Sequence, residues 1–86
     1  MSDEYNFGTL AFSKAGHDKG ELYLILKKVG AEVFLVDGYR RKLDNPKRKN
    51  IKHIQPIFKI SELPENPLTD ENVKRYIKNY KIAHDL

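Results

Sequence analysis

Hydrophobic and polar residues alternate over much of the first two thirds of this 86-residue chain, which is typical of half-buried β-strands. The pattern predicts four or five short strands, with clear alternation at 8–13, 21–29, 32–37 and 51–55. Glycine-containing turn signals separate these segments, including a loop bounded by Gly16 and Gly20 and the pair Asp37-Gly38. Short sequential strands in so small a chain predict a mostly β fold, a small antiparallel barrel spanning residues 8–58.

The second predicted strand is apolar on both of its faces. Leu22, Leu24 and Leu26 share one face, which we expect to fill the core of the barrel. Tyr23 and Ile25 lie on the opposite face, which therefore needs a cover of its own.

The C-terminal third predicts a linker and a helix. The proline-rich segment 59–68 is typical of a linker, just as residues 1–7 are typical of a flexible tail. Thr69 is a good N-cap for an amphipathic helix over 69–85. Its apolar stripe contains Val73, Tyr76, Ile77 and Tyr80. We expect this stripe to pack on the barrel, with the Tyr23 and Ile25 face as a candidate dock; if exposed, Tyr76, Ile77 and Tyr80 would instead bind a partner.

Positive charge is concentrated in one segment. The chain has a net charge of +4, from 16 Lys and Arg against 12 Asp and Glu. Residues 39–53 carry seven cations against Asp44, a net charge of +6, so the rest of the chain is slightly acidic. The seven are Arg40, Arg41, Lys42, Lys47, Arg48, Lys49 and Lys52. This distribution is typical of a nucleic-acid-binding protein, although a solvated basic loop is the simpler explanation.

The pair Asn45-Pro46 interrupts the basic segment and disfavours a helix there. We therefore predict a projecting basic loop over residues 39–50, whose cations contact phosphates without reading sequence. Tyr39 and His53 border the basic residues and could stack on unpaired bases, or could be ordinary surface side chains.

Catalytic and metal-binding chemistry find little support. The chain has no cysteine, and two of its three serines, Ser2 and Ser13, lie in the tail and at a strand end. His17, His53 and His84 lie on three different elements without ligand spacing. We therefore expect no enzymatic activity, no metal and no cofactor. The absence of cysteine favours a reducing, cytoplasmic setting, and the acidic N-terminus and short apolar stretches predict neither a signal peptide nor a membrane span.

Several segments together resemble a known family. They are 13–26, with a glycine-bounded basic loop before an apolar strand, then Val36-Asp37-Gly38, the run 41–50, and 52–56. Over roughly residues 7–57 the chain resembles the KOW-domain RNA-binding proteins related to the large-subunit ribosomal protein family fourteen-e. The remainder, 58–86, has no counterpart in this resemblance.

The resemblance implies an SH3-like barrel of the KOW type that binds RNA, with no catalysis and no cofactor. It implies ribosomal RNA as the partner, with ribosomal proteins as further partners of a ribosome-bound chain. In such domains the loop between the first two strands commonly touches RNA. This implies three candidate RNA-binding residues besides those of the basic segment: Lys14, His17 and Lys19.

Two other function classes stay open. One is an SH3-like or Tudor-like module that binds peptides through an aromatic groove or cage, which clustered exposed tyrosines would favour. The other is an accessory factor whose C-terminal helix docks on a protein while the barrel touches nucleic acid, which an exposed helix stripe would favour.

Overall fold

A computed structural model describes residues 5–60 and 68–86, with Lys59 described through its backbone alone. The elements are β1 (Thr9–Ser13), β2 (Leu22–Val29), β3 (Glu32–Val36), β4 (Lys47–Asn50), a 3-10 turn (Ile51–His53), β5 (Ile54–Lys59) and α1 (Asp70–Ala83). This confirms a mostly β fold with one C-terminal helix. Most of the predicted linker, and the first four residues of the predicted tail, lie outside the described residues. Within the described ranges, no helix has the length and apolar character that crossing a membrane requires.

The five strands form one antiparallel sheet in the order β4-β3-β2-β1-β5. Within the described residues, β4 and β5 are both edge strands, so backbone pairing does not close the sheet into a barrel. The register shifts between Leu10 and Ala11 against β5, and between Ile25 and Lys27 against β3. Such bulges bend strands, which allows a five-stranded sheet to curl.

One face of the sheet encloses a core of its own. Its buried members are Ala11, Tyr23, Ile25, Val33, Leu35 and Ile54. Ile54 belongs to β5 and Val33 to β3, yet they share a cluster although two strands separate them in the sheet. The sheet therefore curls around this face.

The other face is covered by α1. Leu10, Leu22, Leu24 and Val36 form a second cluster with Val73 and Ile77 of the helix. The predicted orientation of β2 was therefore wrong: its leucines meet the helix, while Tyr23 and Ile25 face the interior of the curled sheet. The strand is apolar on both faces because each face supports a separate core, and alternation alone does not tell which is which.

The helix begins as predicted. The hydroxyl of Thr69 accepts a hydrogen bond from the amide of Asn72 at 3.1 Å, and its extended backbone is that of an N-cap. Asp70 and Glu71 occupy the first turn, where the helix dipole favours negative charge. Local capping therefore fixes the start of α1.

The basic segment is only partly a loop. Residues 47–50, predicted to lie in a loop over 39–50, form β4 and pair with β3. The strand was not predicted because the sequence Lys-Arg-Lys-Asn shows no apolar alternation. It forms because its backbone pairs with the free edge of β3. The strand predicted at 51–55 begins later, at Ile54, because the 3-10 turn precedes it.

The remaining loop, 39–46, is held against the body of the protein. A carboxylate oxygen of Asp37 accepts hydrogen bonds from the amides of Tyr39 and Arg41, at 2.9 and 2.8 Å. Farther along, the amide of Leu43 donates to the carboxylate of Asp70 at 2.8 Å, and Leu43 packs against the helix-covered core. The predicted projecting loop is thus anchored to β3 at one end and to the start of α1 near the other.

Candidate nucleic-acid interface

The cations of β4 divide between the two faces of the strand. Lys47 lies opposite Leu35 and Lys49 opposite Val33, so these two lysines share the face of the buried interior cluster. Their side chains are only 27% and 11% exposed, as is common for lysines at the rim of a core. Arg48 points the other way; its side chain is 64% exposed, and its Nε atom lies 3.4 Å from a carboxylate oxygen of Glu32.

Both inward lysines converge on one carboxylate, that of Asp18. The Nζ atom of Lys47 lies 2.9 Å from one oxygen of Asp18, and the Nζ atom of Lys49 lies 2.6 Å from the other. The hydroxyls of Ser13 and Tyr23 donate to the same carboxylate at 2.7 and 2.9 Å. Asp18 is therefore the centre of a four-donor cluster, with only 11% of its side chain exposed.

The charge state of the Asp18 cluster follows from these contacts. Burial alone would raise the pKa of Asp18, but the hydrogen bonds from Lys47, Lys49, Ser13 and Tyr23 outweigh it and hold that pKa well below its usual value. The pKa of Tyr23 is raised well above its usual value by burial and by its hydrogen bond to the Asp18 carboxylate. At neutral pH the carboxylate is therefore ionised and the phenol keeps its proton.

The Asp18 cluster brings together segments that are far apart in the sequence. Lys49 also donates to the carbonyl of Ala15 at 2.8 Å, so the loop between β1 and β2 lies against β4. The amide of Lys14 donates to the carbonyl of His53 at 2.7 Å, which places the same loop beside the 3-10 turn. The β1–β2 loop and the 3-10 turn both carry exposed lysine or histidine side chains, namely Lys14, His17, Lys19 and Lys52. We call these four residues, with Arg48 and His53, the basic rim.

The glycines predicted to shape this loop do so. Gly16 and Gly20 adopt φ of +85° and +91°, in the left-handed region that L-residues avoid. The amide of Gly20 donates to the carbonyl of Ser13 at 2.8 Å, which closes the loop. The β1–β2 loop therefore holds Asp18 beneath β4, while the lysines of the loop itself face solvent.

The cations of the 39–46 loop have different neighbours. Tyr39 and Arg40 border a groove between this loop, β2 and α1, whose volume is about 590 Å³. Arg41 is half-buried and Lys42 is exposed. The predicted RNA-binding residues of β4, the 3-10 turn and the β1–β2 loop therefore lie close together in the structure. Tyr39 and Arg40 instead face the helix.

The sequence reasoning missed the cations on the helix side of this groove. Lys74, Lys78 and Lys81 of α1 line it together with Arg40. Their spacing of four and three residues places them on one face of a helix, so the sequence alone carried a signal.

The helix stripe proposed for partner docking is used within the chain. Ile77 is buried in the helix-covered core, and Tyr80 packs against that core. Tyr80 also stacks on His84, with ring centroids 4.1 Å apart, and lies 5.4 Å from the ring of Phe58. Tyr76 is half-buried. This packing removes the main support for a free docking stripe.

The arrangement of the described residues does not favour a peptide-binding aromatic cage or a metal site. Of the five tyrosines, all of which are described, Tyr39 alone is exposed, so no cluster of tyrosines forms an aromatic cage. In residues 5–60 and 68–86, no three His, Asp or Glu side chains come together as a metal site would require.

Comparison with known proteins assigns the chain to no family, because neither a family model nor a curated protein matches it. Its function has therefore to be inferred from its own residues and their arrangement.

Proposed function

We propose that this protein binds structured RNA, with the phosphates contacted mainly by the basic rim. The observation that carries the proposal is the convergence beside β4 of two separate segments, the β1–β2 loop and the 3-10 turn, which carry the exposed cations Lys14, Lys19 and Lys52. Nucleic-acid affinity rises with the number of phosphates that cations neutralise, so such convergence matters more than total charge.

The lysines of the Asp18 cluster have a structural rather than a contacting role in this proposal. Lys47 and Lys49 both pair with Asp18 and are partly covered, which leaves them poorly placed for phosphates. Lys14, Lys19 and Lys52 are exposed and have no ion pair among the described residues. The exposed three are therefore the stronger candidates for direct contact.

The fold is consistent with an SH3-like barrel of the KOW type, which we propose as its class. A curled antiparallel sheet in which β1 pairs with both β2 and β5 supports this assignment. The glycine-bounded loop beside the basic rim supports it further. We extend the proposal to ribosomal RNA as the partner, in keeping with the family that the sequence resembles, and to a non-catalytic role.

The test compares two variants that lose the same charge in different places. Lys14→Gln with Lys52→Gln removes two cations of the basic rim and disturbs no ion pair between described residues. Lys28→Gln with Arg75→Gln removes two exposed cations from β2 and α1 as the control for loss of charge alone. Binding to a labelled RNA hairpin and to ribosomes is measured from about 50 to 200 mM salt.

If about five phosphates are contacted, the wild-type affinity should fall with salt at a log–log slope of about −4. The rim variant should lose about 2 from the magnitude of that slope, while the control variant keeps nearly all of it. No binding at low salt, or equal losses in the two variants, would overturn the proposal. Binding to RNA hairpins but not to ribosomes would support the proposed RNA binding and contradict the proposed association with ribosomes.

A further inference from the structure

The groove between the 39–46 loop and α1 combines an apolar floor with a cationic wall. Leu22, Ile77 and Ile82 contribute apolar surface, and the cations Arg40, Lys78 and Lys81 line its sides. A volume of about 590 Å³ lies within the range of about 300–1,000 Å³ that is usual for small-ligand sites.

The charges of the groove leave a positive excess for a ligand. Lys74 pairs with Glu71 at 2.9 Å, and Asp37 is occupied by the amides of the loop. Arg40, Lys78 and Lys81 make no ion pair among the described residues. Glu21 is the remaining acidic side chain among the described residues that line the groove, and it is exposed. The groove therefore suits an anion that also carries an apolar surface.

Tyr39 adds the feature that favours a nucleotide. Its side chain is 71% exposed at the edge of the groove, and its ring stacks on no other ring in the described structure. The loop that carries it is nevertheless fixed by Asp37, so the ring is exposed on a held backbone. Exposed aromatic rings beside cations are a common platform for unpaired bases.

We propose that this groove binds one unpaired nucleotide of an RNA, with the base against Tyr39 and the apolar floor. Arg40, Lys78 and Lys81 then contact the flanking phosphates. The carboxylate of Glu21 can only accept hydrogen bonds when ionised, so it favours a base with an amino group, such as adenine. This inference rests on the proposed RNA binding and adds a site for a base extruded from paired RNA.

The test uses two RNA hairpins with equal numbers of phosphates, one fully paired and one with a single bulged adenosine. Replacing that adenosine by 2-aminopurine reports directly on the stacking of the base. The main variant is Tyr39→Ala, which alters an exposed side chain and should leave the fold intact by circular dichroism. The matched control is Tyr76→Ala, a tyrosine of α1 that does not line the groove.

The wild-type protein should bind the bulged hairpin about tenfold more tightly than the paired one. Tyr39→Ala should abolish that preference while leaving affinity for the paired hairpin unchanged, and Tyr76→Ala should keep the preference. Binding should also quench the 2-aminopurine fluorescence in the wild type and less so in Tyr39→Ala.

Equal affinity for the two hairpins, or equal losses on both in Tyr39→Ala, would overturn the groove proposal while RNA binding itself stood. Failure to bind either hairpin at low salt would instead overturn the proposed function. Displacement of the bulged hairpin by an acidic, aromatic-containing peptide at similar concentration, with the paired hairpin unaffected, would identify the groove as a peptide site and also overturn the proposal.

Discussion

Replacing Asp18 by asparagine tests whether one carboxylate joins the basic strand to the rest of the fold. The asparagine would keep the shape of the side chain but lose the charge that Lys47 and Lys49 approach at 2.9 and 2.6 Å. Removing one partner of a buried ion pair costs about 3–5 kcal/mol. The two lysine side chains here are 27% and 11% exposed, so water can recover part of that loss. We therefore expect a loss of about 2–3 kcal/mol in the free energy of unfolding.

The assay is urea and thermal unfolding followed by circular dichroism, at several pH values between about 7 and 3. In a domain of this size the expected loss lowers the melting temperature by roughly 10–20 °C at neutral pH. Asp44→Asn, which removes the same charge from an exposed position of the 39–46 loop, should change the free energy of unfolding by less than about 0.5 kcal/mol.

The pH dependence gives a second, independent result. The pKa of Asp18 is depressed in the folded protein, so its contribution to stability is complete above the ordinary aspartate pKa of about 3.9. That contribution is lost as the pH falls below this value towards the folded-state pKa, because the unfolded chain then binds a proton that the folded chain does not. The difference in stability between wild type and Asp18→Asn should therefore shrink as the pH falls from about 5 to 3.

A loss below about 0.5 kcal/mol at pH 7, or a difference that does not change with pH, would refute this account of the Asp18 cluster. RNA affinity of the folded variant is also informative, because the change frees both lysines. We expect it to be equal to or higher than that of the wild type at low salt, since one negative charge is removed beside the basic rim.

Two further substitutions test how the loop and the helix are fixed. Gly38→Ala should cost about 3 kcal/mol or more by urea unfolding, because φ is +76° and the new Cβ would collide with the carbonyl oxygen of Asp70 and lie 2.9 Å from Cγ of Lys74. Gly30→Ala, with φ of +60° and no atom of the described residues within 4 Å of the new Cβ, should cost only about 1 kcal/mol, and equal costs would contradict the steric argument. Thr69→Ala should cost about 1 kcal/mol through loss of the helix cap, and an unchanged unfolding midpoint would show that the cap is dispensable.

The strands and the helix were predictable because their signals are local. Alternation located β1, β2 and β3 to within a residue or so, and the N-cap at Thr69 located the start of α1. Which face of β2 meets the helix was not predictable, since both faces carry equally apolar residues. That choice is made by the curl of the sheet and by the helix, which are properties of the whole chain.

The central contact of the candidate interface was beyond sequence reasoning for a different reason. Asp18 and Lys49 are 31 residues apart, and nothing in either neighbourhood marks them as partners. Once β4 pairs with β3, alternation along the strand directs Lys47 and Lys49 to the interior face. The closed β1–β2 loop then supplies the acid that both lysines reach, so the pairing follows from the topology rather than from a motif.

The position of β4 also supplies a purely structural reason for part of the positive charge. An edge strand with free backbone groups invites pairing with other chains, and charged residues, lysine above all, are a common protection against it. The opposite edge, β5, carries Pro56, which protects in another way because proline has no amide to donate. Edge protection would therefore explain Lys47, Arg48 and Lys49 even in a protein that bound no RNA.

Edge protection does not explain the cations outside β4. Lys14 and Lys52 lie on a loop and a 3-10 turn, where no strand edge needs protection, and yet the hydrogen bond from the amide of Lys14 to the carbonyl of His53 brings these two segments together. Keeping exposed like charges close together has an electrostatic cost that a polyanionic partner would offset. The RNA proposal therefore depends on these cations and not on the basic run that first draws attention in the sequence. A substitution series confined to β4 would damage the Asp18 cluster and report on folding, whereas one confined to Lys14 and Lys52 reports on binding.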